Sequence, residues 1–195
     1  GFSSASREAI RPLMEKNKML YFYNNQYEGG VASKYTFATG AIPEHQITTL
    51  IKAMIEKYGP RIYTIAADYN FGQISAQWVK KTAEENGGQI INEEFIPLGV
   101  SQFSSTISRI KEAKPDFLVT LLVGQDQSSF YGQWAKAGDT QIPMATTVNM
   151  AQAYEHKRFA PPALANMYVT ATFMEEVKDI SPKAKEFVDK FYKKF

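Results

Sequence analysis

The residues with the clearest capacity for chemistry are Asp68, Tyr69, Asn70 and Phe71, which directly follow a short apolar run at residues 61–67. They combine a carboxylate, a phenol, an amide and an aromatic ring, groups that hold small polar ligands. The apolar run is typical of a buried strand in a parallel sheet, and a helix-period segment follows it. The four residues are therefore expected at the carboxyl end of a strand, where open α/β sheets bind ligands. The alternative is that Asp68 caps the next helix and Tyr69 packs beneath it.

Polar and aromatic residues recur after other predicted strands. They occupy residues 23–27, 124–127 and 146–149, and Ser3 and Ser4 precede the first predicted helix. The sequence has no Gly-x-Gly-x-x-Gly or Walker-type phosphate loop. None of these segments holds a His or Cys that could pair with a nucleophile. Their hydroxyls, amides and tyrosines favour a binder of neutral polar solutes over a catalyst.

Composition argues against several classes of protein. The 195-residue chain has a formal charge of +2, which implies neither nucleic acid nor an anionic membrane surface as a partner. It has no cysteine, and His45 and His156 are far apart, which argues against thiol chemistry, iron–sulfur clusters and zinc sites. No segment is long and apolar enough to predict a membrane span, so we predict no direct membrane insertion. We also predict no cofactor. The chain opens at Gly1 without a signal peptide, so we expect a piece of a longer protein.

Strand and helix patterns alternate from residue 44 to residue 172. The predicted strands are 61–67, 89–96, 117–123, 142–146 and 167–171, and the predicted helices are 44–58, 72–86, 103–113, 124–136 and 149–160. Pro143 indicates that strand 142–146 lies near a sheet edge. This alternation predicts an α/β fold with a doubly wound, mostly parallel sheet flanked by helices. A helix and two short strands precede it, and Ser181-Pro182 predicts the start of a final helix.

Several short motifs occur in a recognisable order along the whole chain. They are Tyr27-Glu28-Gly29, TFATGAIP at 36–43, ADYNFG at 67–72, FIPL at 95–98 and LVG at 122–124. Their order resembles that of type I periplasmic solute-binding proteins, most closely the urea and short-chain amide branch beside the branched-chain amino acid receptors. The resemblance implies two α/β lobes that close on a ligand: one lobe, at 44–172, would be nearly whole here, and the other would be only partial.

The resemblance also implies an organisation and a function. Residues 1–43 would be part of the first lobe plus a crossover, 44–172 the second lobe, and 173–195 a crossover and return helix. The protein would be periplasmic or extracellular, would capture urea or a short-chain amide for ABC-type uptake, and would have a membrane permease as partner. Binding of a branched-chain or other amino acid, or ligand sensing on the same fold, are the alternatives. An enzyme with Asp68 or Glu28 as acid or base is less favoured, because no partner residue is visible to relay protons.

Individual ligand contacts follow from the resemblance by position. Ser4 and Tyr23 match a serine and a tyrosine that hold the ligand in the amide branch, and Tyr69 matches a ring from the second lobe. Asn25 stands where that branch has threonine, and Phe71 stands where it has tyrosine. These two departures leave the exact ligand open.

The remaining candidates complete a pocket with hydrogen-bond donors and acceptors. Asn25 and Gln26 suit urea or a primary amide, whereas Asp126 could meet the ammonium group of an amino acid. The last loop places Val148, with Asn149 beside it, at the third contact position. The full predicted ligand-binding set is Ser3, Ser4, Tyr23, Asn25, Gln26, Asp68, Tyr69, Phe71, Gln125, Asp126, Val148 and Asn149.

Overall fold

The computed structural model describes residues 2–138, 141–148, 155–171 and 175–195. The strands are β1 (Tyr21–Tyr23), β2 (Thr36–Ala38), β3 (Arg61–Ala67), β4 (Gln89–Ile96), β5 (Phe117–Leu121), β6 (Met144–Thr146) and β7 (Met167–Val169). The helices are α1 (Ser4–Lys16), α2 (Thr49–Tyr58), α3 (Asn70–Glu85), α4 (Ser104–Ala113), α5 (Gly124–Ala137) and α6 (Pro182–Lys194). β3 to β7 form one parallel sheet, and β1 pairs with β2 in a second. The predicted fold class is confirmed.

β3 lies at the centre of the core because the sheet is covered on both faces. After the exposed Arg61, every residue of the strand is buried. Side chains alternate between the two faces. Ile62 and Ala66 pack with residues of α2 and α3 in one apolar cluster, and Tyr63 and Ile65 pack with α4 and α5 in another. Helices on both faces make the sheet doubly wound.

The strand order β4-β3-β5-β6-β7 creates a topological switch point between β3 and β5. From β3 the chain runs through α3 to β4 on one side, whereas from β5 it runs through α5 to β6 on the other. The two connections therefore diverge and leave a crevice beyond the carboxyl ends of β3 and β5. Residues 68–71 leave the sheet at this point, as expected from the sequence.

A smaller unit precedes the five-stranded sheet. Its strands β1 and β2 are parallel, and α1 packs against β1 and α3. Phe22 and Phe37 stack on an exposed side of this unit, with ring centroids 5.3 Å apart. The two sheets lie on either side of residue 43, while the division into 1–43, 44–172 and 173–195 stays a prediction.

The expectation that Pro143 marks a strand near the sheet edge is met, because β6 lies next to the edge strand β7. In the structure β6 is hydrogen-bonded on both sides, to β5 and to β7. Pro143 lies immediately before the first strand residue, Met144, so its missing N–H removes no bond from the ladder. The Pro143 carbonyl even accepts a hydrogen bond from the Leu118 N–H at 2.9 Å.

Two predicted helices differ in detail from the structure. The helix predicted at 44–58 begins as a π-helix at Glu44–Thr48, and α2 continues it. Of the helix predicted at 149–160, residues 149–154 lie outside the described part of the chain, and Glu155–Arg158 forms a short 3₁₀ turn. The helices that cover the centre of the sheet, α3 and α4, follow their predictions closely.

Gly72 is the point at which α3 comes closest to β3. A Cβ atom at this position would lie 1.9 Å from the Ala67 carbonyl oxygen and 2.8 Å from the Ala67 nitrogen. Because these atoms belong to the backbone, no side chain can move aside. We expect Gly72→Ala to lower the free energy of unfolding by about 1–3 kcal/mol, as overpacking of a core does. Urea denaturation measures this change.

Gly132→Ala is the matched control, because an added Cβ in that part of α5 meets no atom within 4 Å. Replacing a helical glycine without a clash should raise the free energy of unfolding by roughly 0.5–1 kcal/mol. A Gly72→Ala variant as stable as the wild type would contradict the close approach of α3 to β3.

Candidate functional site

A cavity of about 310 Å³ lies at the switch point, where the smaller unit faces the carboxyl end of the large sheet. Most of the predicted ligand residues line it. From the smaller unit these are Ser3, Ser4, Tyr23, Asn25 and Gln26, and from the large sheet they are Tyr69, Phe71 and Val148. The structure thus brings together side chains that are 145 positions apart in the chain, from Ser3 to Val148. Their role as ligand contacts stays a prediction.

Larger cavities occur elsewhere on the described surface. One of about 760 Å³ lies behind the Asn25–Gln26 loop, against the π-helix, and another of about 470 Å³ lies beside α5. Volume alone does not identify a ligand site. The cavity of about 310 Å³ is bounded by the segments that follow β1, β3, β5 and β6, so the topology favours it as the ligand crevice.

The backbone carbonyl of Phe2 organises the wall from the smaller unit. It accepts a hydrogen bond from the Tyr23 hydroxyl at 3.0 Å and one from Asn25 Nδ2 at 2.9 Å. Ser3 is the N-cap of α1 and accepts a bond from the Ser6 N–H at 3.2 Å. Ser4 is the first residue of the helix, so it is not the capping residue. It is buried, with 2% exposure. Its position is compatible with a ligand contact.

The wall from the large sheet begins where β3 turns into α3. Tyr69 is the N-cap residue of α3 in an extended conformation, and its side chain makes no capping bond. Its ring lies beside that of Phe71, with centroids 6.1 Å apart. The segment after β6 is held by a bond from Gln127 Nε2 to the Val148 carbonyl at 3.1 Å. The segment after β6 therefore presents its side chains from anchored backbone.

Gln26 forms a hydrogen bond between the wall from the smaller unit and the wall from the large sheet. Its Nε2 donates a hydrogen bond to the carbonyl of Thr147, which lies on the segment after β6. This bond joins the loop after β1 directly to the large sheet. The Gln26 side-chain amide therefore contributes directly to the spacing of the two walls on this side.

The cavity is rich in hydrogen-bonding groups but uncharged along its described lining. Burial, with a smaller contribution from the Glu28 carboxylate, raises the pKa of Tyr69 to about 12. Burial and the same carboxylate also raise the pKa of Tyr23. Both phenols are thus protonated at neutral pH; the Tyr23 hydroxyl donates to the Phe2 carbonyl, and the Tyr69 hydroxyl can donate to a ligand. Among the described residues that line the cavity, none carries a charged side chain.

Three predicted ligand residues do not line this cavity. Asp68 is exposed and accepts a bond from Gln73 Nε2 at 2.8 Å, so it neither caps the α3 backbone nor faces the cavity. Gln125 is exposed on α5. Asp126 is buried, but both of its carboxylate oxygens accept from the Gly99 N–H, at 3.2 and 3.0 Å. It therefore holds the loop after β4 rather than a ligand ammonium group. A fourth predicted residue, Asn149, lies outside the described residues.

Several residues of the site escaped the sequence analysis. Phe2, Val123 and Gly124 line the cavity, and Gly124 adopts a left-handed conformation with φ of 57° at the start of α5. Gly124 begins the predicted loop 124–127, and its positive φ is a conformation that favours glycine, so this glycine could have been used as a signal. The buried pair of Arg7 and Glu28 behind the wall had no such signal, because the two residues are far apart in sequence.

The described part of the chain shows no group of three or more Asp, Glu, His or Cys side chains arranged to hold a metal ion. Among the helices described, none is both long enough and apolar enough to span a bilayer. The arrangement at the cavity consists of hydroxyls, amides, rings and backbone carbonyls. Such groups bind and orient a small polar molecule.

Fold and cavity together define the class of protein: an α/β protein with a small-molecule crevice at the switch point of a parallel sheet. The chain belongs to the periplasmic binding protein family, whose sequence model matches residues 1–195. This match confirms the family predicted from the motif order. It does not distinguish the urea and amide branch from other branches.

Solved structures of similar fold include three from different bacteria. One is the leucine-, isoleucine-, valine-, threonine- and alanine-binding protein of Brucella ovis, with a TM-score of 0.78 and 20% identity over 96% of this chain and 50% of that chain. A second is a periplasmic binding protein of Burkholderia mallei, with a TM-score of 0.78 and 16% identity over 100% of this chain and 52% of that one. A third is a solute-binding protein of R. palustris in complex with benzoate, with a TM-score of 0.76 and 18% identity over 98% and 53%.

The chain spans about half the length of each of these structures. Identities this low show the shared fold alone. The similarity therefore establishes a partial type I periplasmic binding fold, while the ligand must be argued from the cavity.

The environment of Tyr69 predicts a pH dependence of stability. Its pKa of about 12 in the folded state exceeds the usual phenol value of about 10. The neutral phenol thus contributes stability that is fully present below about pH 10 and is lost as the pH rises towards 12. We expect the urea midpoint of the wild type to fall more steeply across this range than that of Tyr69→Phe. Parallel pH profiles for the two proteins would contradict the burial of this phenol.

Proposed function

We propose that this chain forms the ligand-binding part of a solute-binding protein that serves ABC-type uptake. The observation that carries the proposal is the cavity at the switch point, which has an uncharged lining with hydroxyl and amide groups and is closed on one side by the Gln26–Thr147 bond. Membership of the periplasmic binding protein family supports it. We further propose an extracytoplasmic location and a membrane permease as the partner. We propose no nucleic-acid partner.

Within this function, we propose urea or a short-chain amide as the ligand. The phenol of Tyr69 and the hydroxyl of Ser4 offer donors that suit a carbonyl oxygen, and the Tyr23 oxygen, whose proton is donated to the Phe2 carbonyl, can accept from a ligand N–H. The Asn25 and Gln26 side chains add amide groups that match amide chemistry. A neutral ligand needs no charged partner, and the described lining provides none. Burying a charge without a partner would be costly.

Binding of an amino acid is the second candidate, and the names of similar structures favour it. The Brucella ovis protein binds leucine and related amino acids by its name, and a branched-chain amino acid transporter protein from Thermus thermophilus, with a TM-score of 0.63, contains bound valine. An amino acid would need an acceptor for its ammonium group. Asp126 is engaged by Gly99, so this acceptor would have to come from elsewhere.

The enzyme alternative has little support. Glu28 is fully buried and paired with Arg7, so it is not available as an acid or base. Asp68 lies outside the cavity. The family and the solved structures of similar fold are binding proteins. Ligand sensing on the same fold differs from transport only in the downstream partner.

A thermal-shift panel tests the proposal on this chain and on a version extended to the length of its relatives. The panel contains urea, formamide, acetamide, leucine, valine and a nucleotide as a negative control. We expect the melting temperature to rise with urea or an amide, because ligand binding to the folded state stabilises it. A rise with leucine or valine alone would favour the second candidate. No rise with any of the five solutes would contradict both.

Tyr69→Ala provides a test at the level of one residue. We expect it to weaken binding of the solute identified in the panel by about 1–3 kcal/mol, through loss of ring contact and a hydrogen bond. At neutral pH the free energy of unfolding should fall much less than when a fully buried tyrosine is truncated, because Tyr69 is only partly buried and its side chain does not cap α3. Isothermal titration calorimetry and urea denaturation measure the two effects.

Tyr35→Ala is the control for this experiment. It removes a ring of the same size that is also partly buried but lies outside the cavity. Its affinity for the solute should equal that of the wild type. Equal affinity in Tyr69→Ala, or a large loss of its stability, would rule out the cleft position of Tyr69.

A further inference from the structure

A buried ion pair lies directly behind the wall of the cavity that the smaller unit provides. Arg7 on α1 donates two hydrogen bonds to the Glu28 carboxylate, at 2.6 and 3.2 Å. The Glu28 residue is 0% exposed and Arg7 is 1% exposed. Two-point contact of this kind fixes the relative orientation of both side chains.

The pair touches each element that carries a ligand-facing group of the smaller unit. The Arg7 guanidinium carbon lies 4.9 Å from the ring centroid of Tyr23 and 5.1 Å from that of Tyr27. Ser3 and Ser4 stand one turn earlier on the same helix as Arg7. α1, the end of β1 and the following loop therefore meet at one guanidinium group.

The Glu28 end of the pair is anchored to the large sheet. The Glu28 carbonyl accepts a hydrogen bond from the Trp78 indole at 3.1 Å, and Trp78 lies on α3, the helix that begins at the cavity. The neighbouring Tyr27 is fixed by its N–H, which donates to the Ala41 carbonyl at 2.9 Å. The loop that bears Asn25 and Gln26 is thus held at its far end on both sides.

Stability alone does not account for this arrangement. Moving two charges out of water costs about as much as their attraction returns, so an apolar pair of similar volume is often as stable. An Arg–carboxylate fork, in contrast, specifies geometry. Burial acts to lower the pKa of Arg7, but the hydrogen bonds that Arg7 donates to the Glu28 and Glu8 carboxylates outweigh it and raise the pKa. Arg7 therefore stays charged wherever the protein is folded.

We propose that the Arg7–Glu28 pair positions the ligand-binding wall, holding the Tyr23 ring and the loop after β1 so that Asn25 and Gln26 meet the cavity. Arg7 and Glu28 are positioning residues and do not themselves contact the ligand. This inference rests on the proposed solute-binding function of the cavity. The Glu28 carboxylate also adds to burial in keeping the Tyr23 and Tyr69 phenols protonated.

The test separates positioning from stability by removing the charges singly and together. Arg7→Met leaves a buried carboxylate unpaired and should lower both stability and affinity. Arg7→Met combined with Glu28→Met removes both charges at similar volume and should regain most of the stability. We expect its affinity for acetamide or leucine, measured by calorimetry, to stay at least about tenfold below the wild type.

A second readout needs no ligand. Hydrogen exchange of the ligand-free protein reports how firmly the loop at residues 24–28 is held. We expect exchange of its amides to be at least about tenfold faster in the double variant than in the wild type, even where global stability is equal. Arg7→Lys keeps the charge but loses the fork, so its affinity and exchange should lie between those of the two proteins.

The control removes an ion pair far from the cavity, in which Glu94 is largely buried and Arg109 is half-exposed. Arg109 and Glu94 are joined by a fork of 2.8 and 2.5 Å on the α4 side of the sheet. Arg109→Met combined with Glu94→Met should alter stability without changing affinity or exchange of residues 24–28. Equal losses of affinity in both double variants would assign the effect to general destabilisation and overturn the proposal.

The remaining outcomes each decide the question. If the Arg7 and Glu28 double variant binds the probe as the wild type does, the pair is merely structural and the proposal is wrong. Should that variant fail to fold, an unchanged affinity in Arg7→Lys would overturn the proposal and a reduced one would support it. If the wild type binds neither probe, the proposed ligand classes fail. Faster loop exchange would still support positioning, and unchanged exchange would reject it.

Discussion

Parallel pairing of β3 with both β4 and β5 is the constraint on which the rest of this structure depends. Because the strands run in the same direction, every segment that follows a strand emerges at one edge of the sheet. The divergence of the chain from β3 and β5 then opens a crevice at that edge. Tyr69 and Gly124 reach the same cavity for this reason, although more than fifty residues separate them. Burial of both faces of β3 holds the register that makes this possible.

The opposite wall depends on a different kind of interaction. The smaller unit contributes only two short strands and one packed helix, too little to fix a wall by apolar burial alone. Hydrogen bonds hold this wall in place instead. The Phe2 carbonyl accepts from Tyr23 and Asn25. Gln26 donates to the Thr147 carbonyl, and Arg7 donates to the Glu28 carboxylate. Each such contact costs desolvation free energy, but it fixes the relative orientation of the two groups that it joins. A ligand cavity benefits from such contacts, because its polar groups must be held in fixed positions.

The ligand question shows how fold and chemistry can point in different directions. The similar structures bind branched-chain amino acids or benzoate according to their names, but their low identity with this chain shows the fold alone. Loop composition and the uncharged lining favour a neutral amide instead. The two views differ over one physical point, namely whether a buried ammonium group finds an acceptor. The engagement of Asp126 by Gly99 removes the candidate that the sequence offered.

What the sequence determined by itself was local. The apolar run of β3, the amphipathic periods of α3 and α4 and the Ser181-Pro182 start of α6 were all predictable, because each depends on neighbours within a few residues. The parallel alternation then predicted which loops share an edge. Of twelve predicted ligand residues, this reasoning brought eight to one cavity, with the smaller unit located by family resemblance.

Only the tertiary structure decided which side chains form hydrogen bonds with each other. Asp126 and Gln125 follow the same strand as Gly124, yet the helix that starts there turns them away from the cavity, and Asp126 meets Gly99. Asp68 points to Gln73 for a similar reason. The pairing of β6 with both β5 and β7, the two hydrogen bonds that the Phe2 carbonyl accepts and the Arg7–Glu28 pair depend on contacts between segments distant in the chain. Local propensity carries no information about such contacts, because they form only when the sheet assembles and brings its edges together.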